Sequence, residues 1–504
     1  MSDGNVAERD RASRAAATAA DHVDVLIVGA GISGIGAAYH LQTQSPGKTF
    51  RIVETQSDFG GTWRTHRYPG VRSDSDLHTF GYRFKAWRGP PIATAEEILA
   101  YMGEVIDEND IARHIRYRTR VLTADWSEAD CAWSVEMEDV DTGQRSRLTA
   151  GFLWMCQGYY RHSEGYTPEW PGMDDYRGRL IHPQTWPEDL DYAGKRIVVI
   201  GSGATAATLI PALAEAAGHV TMLQRSPTYF TPGRNRNELA ETLRELEIDP
   251  AWTHEIVRRA MLKTGAQMTK RALEQPAEVR EELLGVLRGL LGDDYVAEHF
   301  TPRYDPWRQR IAFVPNGDFF QAVKAGKAGV VTDEIDRFVP EGIRLKSGKV
   351  LEADIIITAT GFNLNVLGDI AFSVDDRPVD LSQSVTYRGM MFTGLPNLAW
   401  VFGYFRASWT LRADLMGDFV TRLLHYMDEK GLRRVEPALR PEDADMKLGP
   451  WIDETEFNPG YLMRGVHLMP NAGDKPEWRH TQDYWSEKDL LPNLDLDDPI
   501  FRYR

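Results

Sequence analysis

Two short glycine runs could do chemistry through the backbone alone. Gly29-Ala-Gly31-Ile-Ser-Gly34 and Gly201-Ser-Gly203-Ala-Thr205-Ala206 have the spacing at which a first glycine makes a turn, a second lets a pyrophosphate approach the chain, and a third position packs a helix closely onto a strand. In the second run alanine takes that third place, which suits a helix sitting slightly farther out. Each run is followed by a residue with a ribose-facing role. Glu54 stands twenty positions after Gly34, where a carboxylate accepts hydrogen bonds from a ribose diol. After the second run the matching place holds Gln224, Arg225 and Ser226; a guanidinium there favours a 2′-phosphate, hence NADPH over NADH.

The elements that must carry these runs are legible around them. Asp24 to Val28 is an apolar β-run, Ile35 to Leu41 has helix character, and Phe50 to Glu54 is a second β-run, together a βαβ unit. Arg196 to Ile200, Ala204 to about Ala217 and His219 to Leu223 repeat it. The fold class expected is therefore α/β, with two Rossmann-like dinucleotide-binding domains. Residues 237–300 change to charged helix formers with Leu283, Leu287 and Leu290 on one stripe, a helical insertion in the second domain. The expected division is a disordered tail over 1–22, a discontinuous first domain over 23–165 and 335–504, and a second domain over 166–334. The strand 355–357, with the Ala359-Thr-Gly361 that follows it, is expected in the first domain, and the chain beyond Glu429 is expected to wrap over the surface.

Bulk properties narrow the function. A net charge of −16 opposes general affinity for nucleic acid or anionic membrane, which need a basic face. No apolar run reaches the length of a membrane span, and residues 1–22 lack the apolar core of a signal peptide. The two cysteines, Cys131 and Cys156, can form neither a disulfide framework nor a multi-cysteine metal site, so no metal is expected and a reducing cytoplasm is. They are also too far apart, and outside any motif, to be the redox pair of a disulfide reductase.

Between the glycine runs lies Gly60-Gly-Thr-Trp-Arg-Thr-His-Arg-Tyr-Pro-Gly-Val-Arg-Ser-Asp74, and later Tyr176-Arg-Gly-Arg-Leu-Ile-His182-Pro-Gln-Thr-Trp186-Pro. The first resembles the long motif of Baeyer–Villiger monooxygenases at Gly61, Trp63, Tyr68, Pro69, Gly70 and Asp74. The second resembles their fingerprint, with Tyr176 in place of the usual Phe. The wider chain is similar to the subgroup of ethionamide-activating monooxygenases from mycobacteria.

The resemblance implies FAD at the first site, held by Gly29, Gly31, Gly34, Glu54, Gly61, Thr62, Trp63 and Asp74. It implies NADPH at the second, held by Gly201, Gly203, Thr205, Arg225 and Ser226. It also implies use of O₂ and oxygen insertion into a ketone through a C4a-peroxyflavin, with Arg310 as the fixed cation beside the developing oxyanion and Asp74 restraining it. His182 and Trp186 are implied in domain movement rather than in chemistry. Gln309 departs from the pattern, since relatives often place lysine there to reach the 2′-phosphate. The substrate expected is an apolar ketone or a sulfide, in a pocket lined by Tyr404 to Trp409 and by parts of the helical insertion. A flavin oxygenase acting mainly on nitrogen or sulfur is the alternative, and a binding protein that only retains the fold is a third.

Overall fold

The structure, a computed structural model, describes residues 22–504. Of the tail expected over 1–22, all but His22 lies outside the described residues, and His22 opens the first strand.

That strand, β1 (His22–Val28), leads into α1 (Ile32–Gln44) and β2 (Phe50–Val53), which runs parallel to β1 with Phe50 opposite Val25. Val25, Leu26 and Ile27 are wholly buried because an interior parallel strand is covered on both faces. β3 (Thr119–Ser127), β4 (Ala132–Asp139) and β5 (Arg145–Met155) form an antiparallel meander, and β5 returns beside β1. Nine strands make up this sheet among the described residues, completed by segments far down the chain: 371–374 beside β3, and 398–400 beside β5.

β6 (Tyr160–Gly165) then carries the chain out of the first sheet. In the second, β7 (Arg196–Ile200), α2 (Ala204–Leu213) and β8 (His219–Gln224) repeat the strand–helix–strand unit. Four helices follow, Glu238–Glu245, Pro250–Glu274, Pro276–Leu291 and Asp293–His299, covering the expected insertion. Leu283, Leu284 and Leu287 are its buried stripe, and Asn237 and Asp249 cap two of its helices through their side chains. The insertion docks back on the first sheet's side. Buried Arg258 donates to the carbonyls of His78, Thr79 and Gly81.

β9 (Ile355–Thr358) corrects the sequence reading. It lies inside the second sheet, between β7 and the strand 179–181, with Ile355 opposite both Ile197 and Arg179. A fully buried Ile-Ile-Ile-Thr run suits the interior of either parallel sheet, so its apolar pattern carries no address. The address is steric. Gly201, at φ +126°, sits so close to the end of β9 that a Cβ would lie 2.3 Å from the Ala359 carbonyl oxygen, just as a Cβ on Gly29 would lie 2.7 Å from that of Cys156 after β5.

Only after β9 does the chain return, through β10 (Phe362–Leu364), which pairs antiparallel with β6. The outward and return crossings therefore lie side by side as a two-stranded ribbon. The long helix α3 (Trp409–Lys430) packs on α1, where His40 meets Asp414 at 3.2 Å and Gln44 meets Asp418 at 3.0 Å. The segment beyond it is more than a surface wrap. Trp478 and Leu491 are fully buried in the same core as α1 and α3, single anchors too widely spaced to read as an element.

Candidate active site

A cavity of about 1000 Å³ runs between the two sheets, from Glu54 past Gly29, Gly31 and Gly61 to Asp74 and Arg310, and on to Gly203 and Thr205. At its first end the glycines do what their spacing requires. A Cβ on Gly34 would stand 1.9 Å from the Gly29 carbonyl oxygen, so only glycine lets α1 pack there. Gly31 and Gly61 abut, a Cβ on Gly61 falling 3.1 Å from the Gly31 Cα, and both face the cavity. At the other end a Cβ on Gly203 would meet nothing within 4 Å and would project into open space. Each run thus leaves a stretch of bare backbone open to the cavity, one at each end.

Glu54 is buried, accepting from the Ala30 N–H at 2.7 Å and the Gln56 N–H at 2.8 Å. Burial holds its pKa above the ordinary value although these N–H groups work against it. Each carboxylate oxygen keeps a lone pair for a ribose hydroxyl. Thr62 and Trp63 begin a short helix on the cavity wall, with the Thr62 hydroxyl 2.7 Å from that of Tyr160.

The stretch 60–75 joins both ends. Gly61 touches the first glycine turn, and Gly70, at φ +76°, lies flush on α2, where a Cβ would come 2.7 Å from the Ala212 Cβ. Tyr68 and Thr205 line one small cleft, and burial pushes the Tyr68 phenol up to about 12. Arg72 pairs with Asp318. The stretch then delivers Asp74, whose two oxygens take Arg310 in a fork, Nε at 2.9 Å and Nη2 at 3.0 Å, while the Ser75 hydroxyl accepts from Nη2 at 3.2 Å. Although 40% of the Arg310 side chain is accessible, it faces the cavity. Removal from bulk water acts to lower its pKa; Asp74 outweighs that and holds it above the ordinary value.

His182 lies off the main cavity, in a small cleft with His66, Tyr68 and Thr205. Its Nδ1 accepts from the Gln184 N–H at 3.1 Å, which makes Nε2 the donor, 3.2 Å from the Gly361 carbonyl oxygen. Its ring leaves no room for a Cβ on Gly165, so it clips the crossing ribbon at both strands. Neighbouring His66 is kept neutral, its pKa lowered to about 4 by burial and by the nearby His162 and His182. Trp186 packs at the edge of the second core, its ring 6.5 Å from that of Tyr192.

Other expected positions do not reach the cavity wall. Gly201 acts behind it, and Arg225 and Ser226 are exposed at the end of β8. Tyr404, Ala407 and Trp409 line it as expected, but no residue of the insertion does, because those helices are spent on covering the second core and docking on residues 78–81. Gln309 lines it and donates to the Asn458 side chain at 3.2 Å. Among the described residues no group of three or more His, Cys, Asp or Glu could hold a metal ion.

Residues 27–90 match the NAD(P)-binding Rossmann-like domain, and 85–235 match the flavin-binding monooxygenase-like family. The chain is 45% identical over 491 residues to the FAD-containing monooxygenase EthA of Mycobacterium tuberculosis, covering 96% of this chain and 98% of that protein. The chain belongs to the flavin-binding monooxygenase family. Similarity to the probable FAD-binding monooxygenase AlmA of Acinetobacter baylyi is 41% over 485 residues, 96% of each. Among solved structures, an oxidized steroid monooxygenase bound to NADP superposes with a TM-score of 0.70 at 27% identity, covering 84% of this chain and 88% of that one. In this flavin-binding monooxygenase the two matched segments include both glycine runs and Asp74, while Arg310 lies beyond them.

Sequence reasoning missed Ser75, Tyr159 and Tyr461. Nothing in the spacing of the chain brings the last two to Arg310.

Proposed function

We propose that this flavin-dependent, NADPH-using monooxygenase is a Baeyer–Villiger enzyme, converting apolar ketones to esters or lactones with O₂ and oxidising sulfides as a side activity. The observation that carries the reading is the Arg310–Asp74 fork on the wall of a cavity with one dinucleotide cradle at each end. FAD is held by Gly29, Gly31, Gly34, Glu54, Gly61, Thr62 and Trp63, and NADPH by Gly201, Gly203 and Thr205, with Arg225 and Ser226 at the ribose. Bound FAD supplies acceptance of hydride from NADPH and activation of O₂.

The protein's own groups supply the rest. Arg310 presents a charge that cannot titrate away where negative charge develops on oxygen, and Asp74 fixes its orientation, so no reorganisation is needed during the reaction. The wall from Tyr404 to Trp409 receives the apolar part of the substrate and excludes water. His182, clipped to the ribbon, and Trp186 couple the angle between the two halves to occupancy of the second cradle. The buried cysteines suit a cytoplasmic enzyme.

The test is methyl phenyl ketone with NADPH and ¹⁸O₂, analysed by mass spectrometry. Ester carrying one labelled oxygen is expected. Sulfoxide from methyl phenyl sulfide with no ester from any ketone would sink the reading and leave an oxygenase of soft nucleophiles. NADPH is expected to exceed NADH in kcat/KM by at least about tenfold, the worth of one charge-assisted contact. Arg225→Ala should erase that ratio; equal use of both by the unaltered enzyme removes Arg225 from the cofactor site.

A further inference from the structure

Tyr159 and Tyr461 come from distant parts of the chain. Tyr159 stands between β5 and β6, just before the outgoing crossing, and Tyr461 in the short helix Gly460–Gly465 of the C-terminal segment. Both line the cavity that Arg310 lines. Their positions are fixed from several sides. The Tyr159 ring stacks on Trp409 with centroids 5.3 Å apart, and Trp409 is tied by its indole N–H to the Ser33 hydroxyl at 2.8 Å, inside the first glycine run. The segment bearing Tyr461 is tied to the two residues before the arginine: the Asn458 N–H donates to the Arg308 carbonyl at 3.1 Å, and its side chain accepts from Gln309.

The two rings lie 6.2 Å apart, tilted by 39°, close enough for their hydroxyls to interact. A bond between two hydroxyls uses one of their two protons. The other is left to donate, beside a guanidinium. Burial raises the pKa of both phenols, so both stay neutral and the pair is a donor rather than a base.

We propose that the Tyr159–Tyr461 pair is a second hydrogen-bond donor to the substrate: with Arg310 it holds the oxygen of a carbonyl group, and so favours a ketone over a sulfide of the same shape. This deepens the Baeyer–Villiger reading and rests on it for the ketone as substrate. A carbonyl oxygen has two lone pairs and can take a donor on each side. A sulfide sulfur is a weak acceptor and gains little from the pair.

The experiment compares methyl phenyl ketone with methyl phenyl sulfide in Tyr159→Phe, Tyr461→Phe and the double variant, substitutions that remove only oxygen. The ketone is read in two ways, by its KM for ester formation and by its inhibition constant against sulfide oxidation. In the double variant both should rise roughly five- to tenfold, the effect of one neutral hydrogen bond. The sulfide KM, and the anaerobic rate of flavin reduction by NADPH, should stay within about twofold, since neither uses that donor. Equal losses for ketone and sulfide, or an unchanged ketone constant, would overturn the proposal. Loss of FAD from all three variants would also overturn it, marking the pair as structural. If the unaltered enzyme binds the ketone but makes no ester, the Baeyer–Villiger reading falls while the ketone inhibition constants still decide the role of the pair.

Discussion

On the Baeyer–Villiger reading, replacing Arg310 by alanine is expected to lower ester formation by about 10²- to 10³-fold, the usual cost of losing one preorganised partner of a developing oxyanion. FAD should remain bound, because the residues proposed to cradle it, Gly29 to Gly34 with Glu54 and Gly61, are separate from the arginine and hold their shape through backbone contacts. NADPH oxidation should continue slowly, its electrons leaving as hydrogen peroxide. The variant also leaves Asp74 without its fork, a negative charge where a positive one stood, so the loss exceeds that from deleting a neutral donor. Arg310→Lys keeps the charge and loses the fork, and should fall between the two. Ester and peroxide measured against NADPH consumed give the partition directly. Ester at near wild-type rate in the alanine variant would withdraw Arg310 from the chemistry.

A second large effect is expected behind the cavity wall. Glu487→Ala should destabilise the protein by about 3–5 kcal/mol, because it strands a buried charge. Arg412 has no accessible surface and Glu487 almost none. The guanidinium donates to Glu487 at 2.9 Å and to the Phe402 carbonyl at 2.9 Å, while the Tyr404 and Thr481 hydroxyls donate to the same carboxylate at 2.5 and 2.8 Å. Alanine leaves Arg412 without its counter-charge and the Tyr404 phenol without its acceptor, and Tyr404 lines the cavity. Loosening of the 402–409 stretch should accompany the loss. Urea unfolding followed by tryptophan fluorescence and by release of flavin would show an earlier midpoint; a shift under about 1 kcal/mol would mean that the core repacks around the lone arginine.

What could be read from the sequence is what short stretches dictate. Gly29, Gly34 and Gly201 are required by backbone contacts within a few ångströms, and the motif 60–74 announces itself because one continuous segment spans both cradles. The insertion shows in its leucine stripe because helix burial is periodic. The placement of β9 did not show, since four buried β-residues suit either sheet. The role of the tail was hidden too: Trp478, Glu487 and Leu491 act singly, each against a partner far away in sequence. Tyr461 lies 151 positions after Arg310 and 302 after Tyr159, and only the completed fold makes them neighbours.

The side-by-side crossings also fix an order of assembly. The second sheet is complete when β9 emerges, at residue 358, from strands that all lie after residue 178. The first is still open then, for its strand 398–400 must seat beside β5, with Leu398 opposite Leu153, and α3 must cover α1. During synthesis the half made in the middle can therefore close first, while the half made earliest waits with an apolar edge for more than two hundred residues. Pairing at such sequence separation is slow and leaves that edge open to wrong partners. The first half is the aggregation-prone one until the chain has passed α3, and slower elongation before residue 398 would lengthen the exposure.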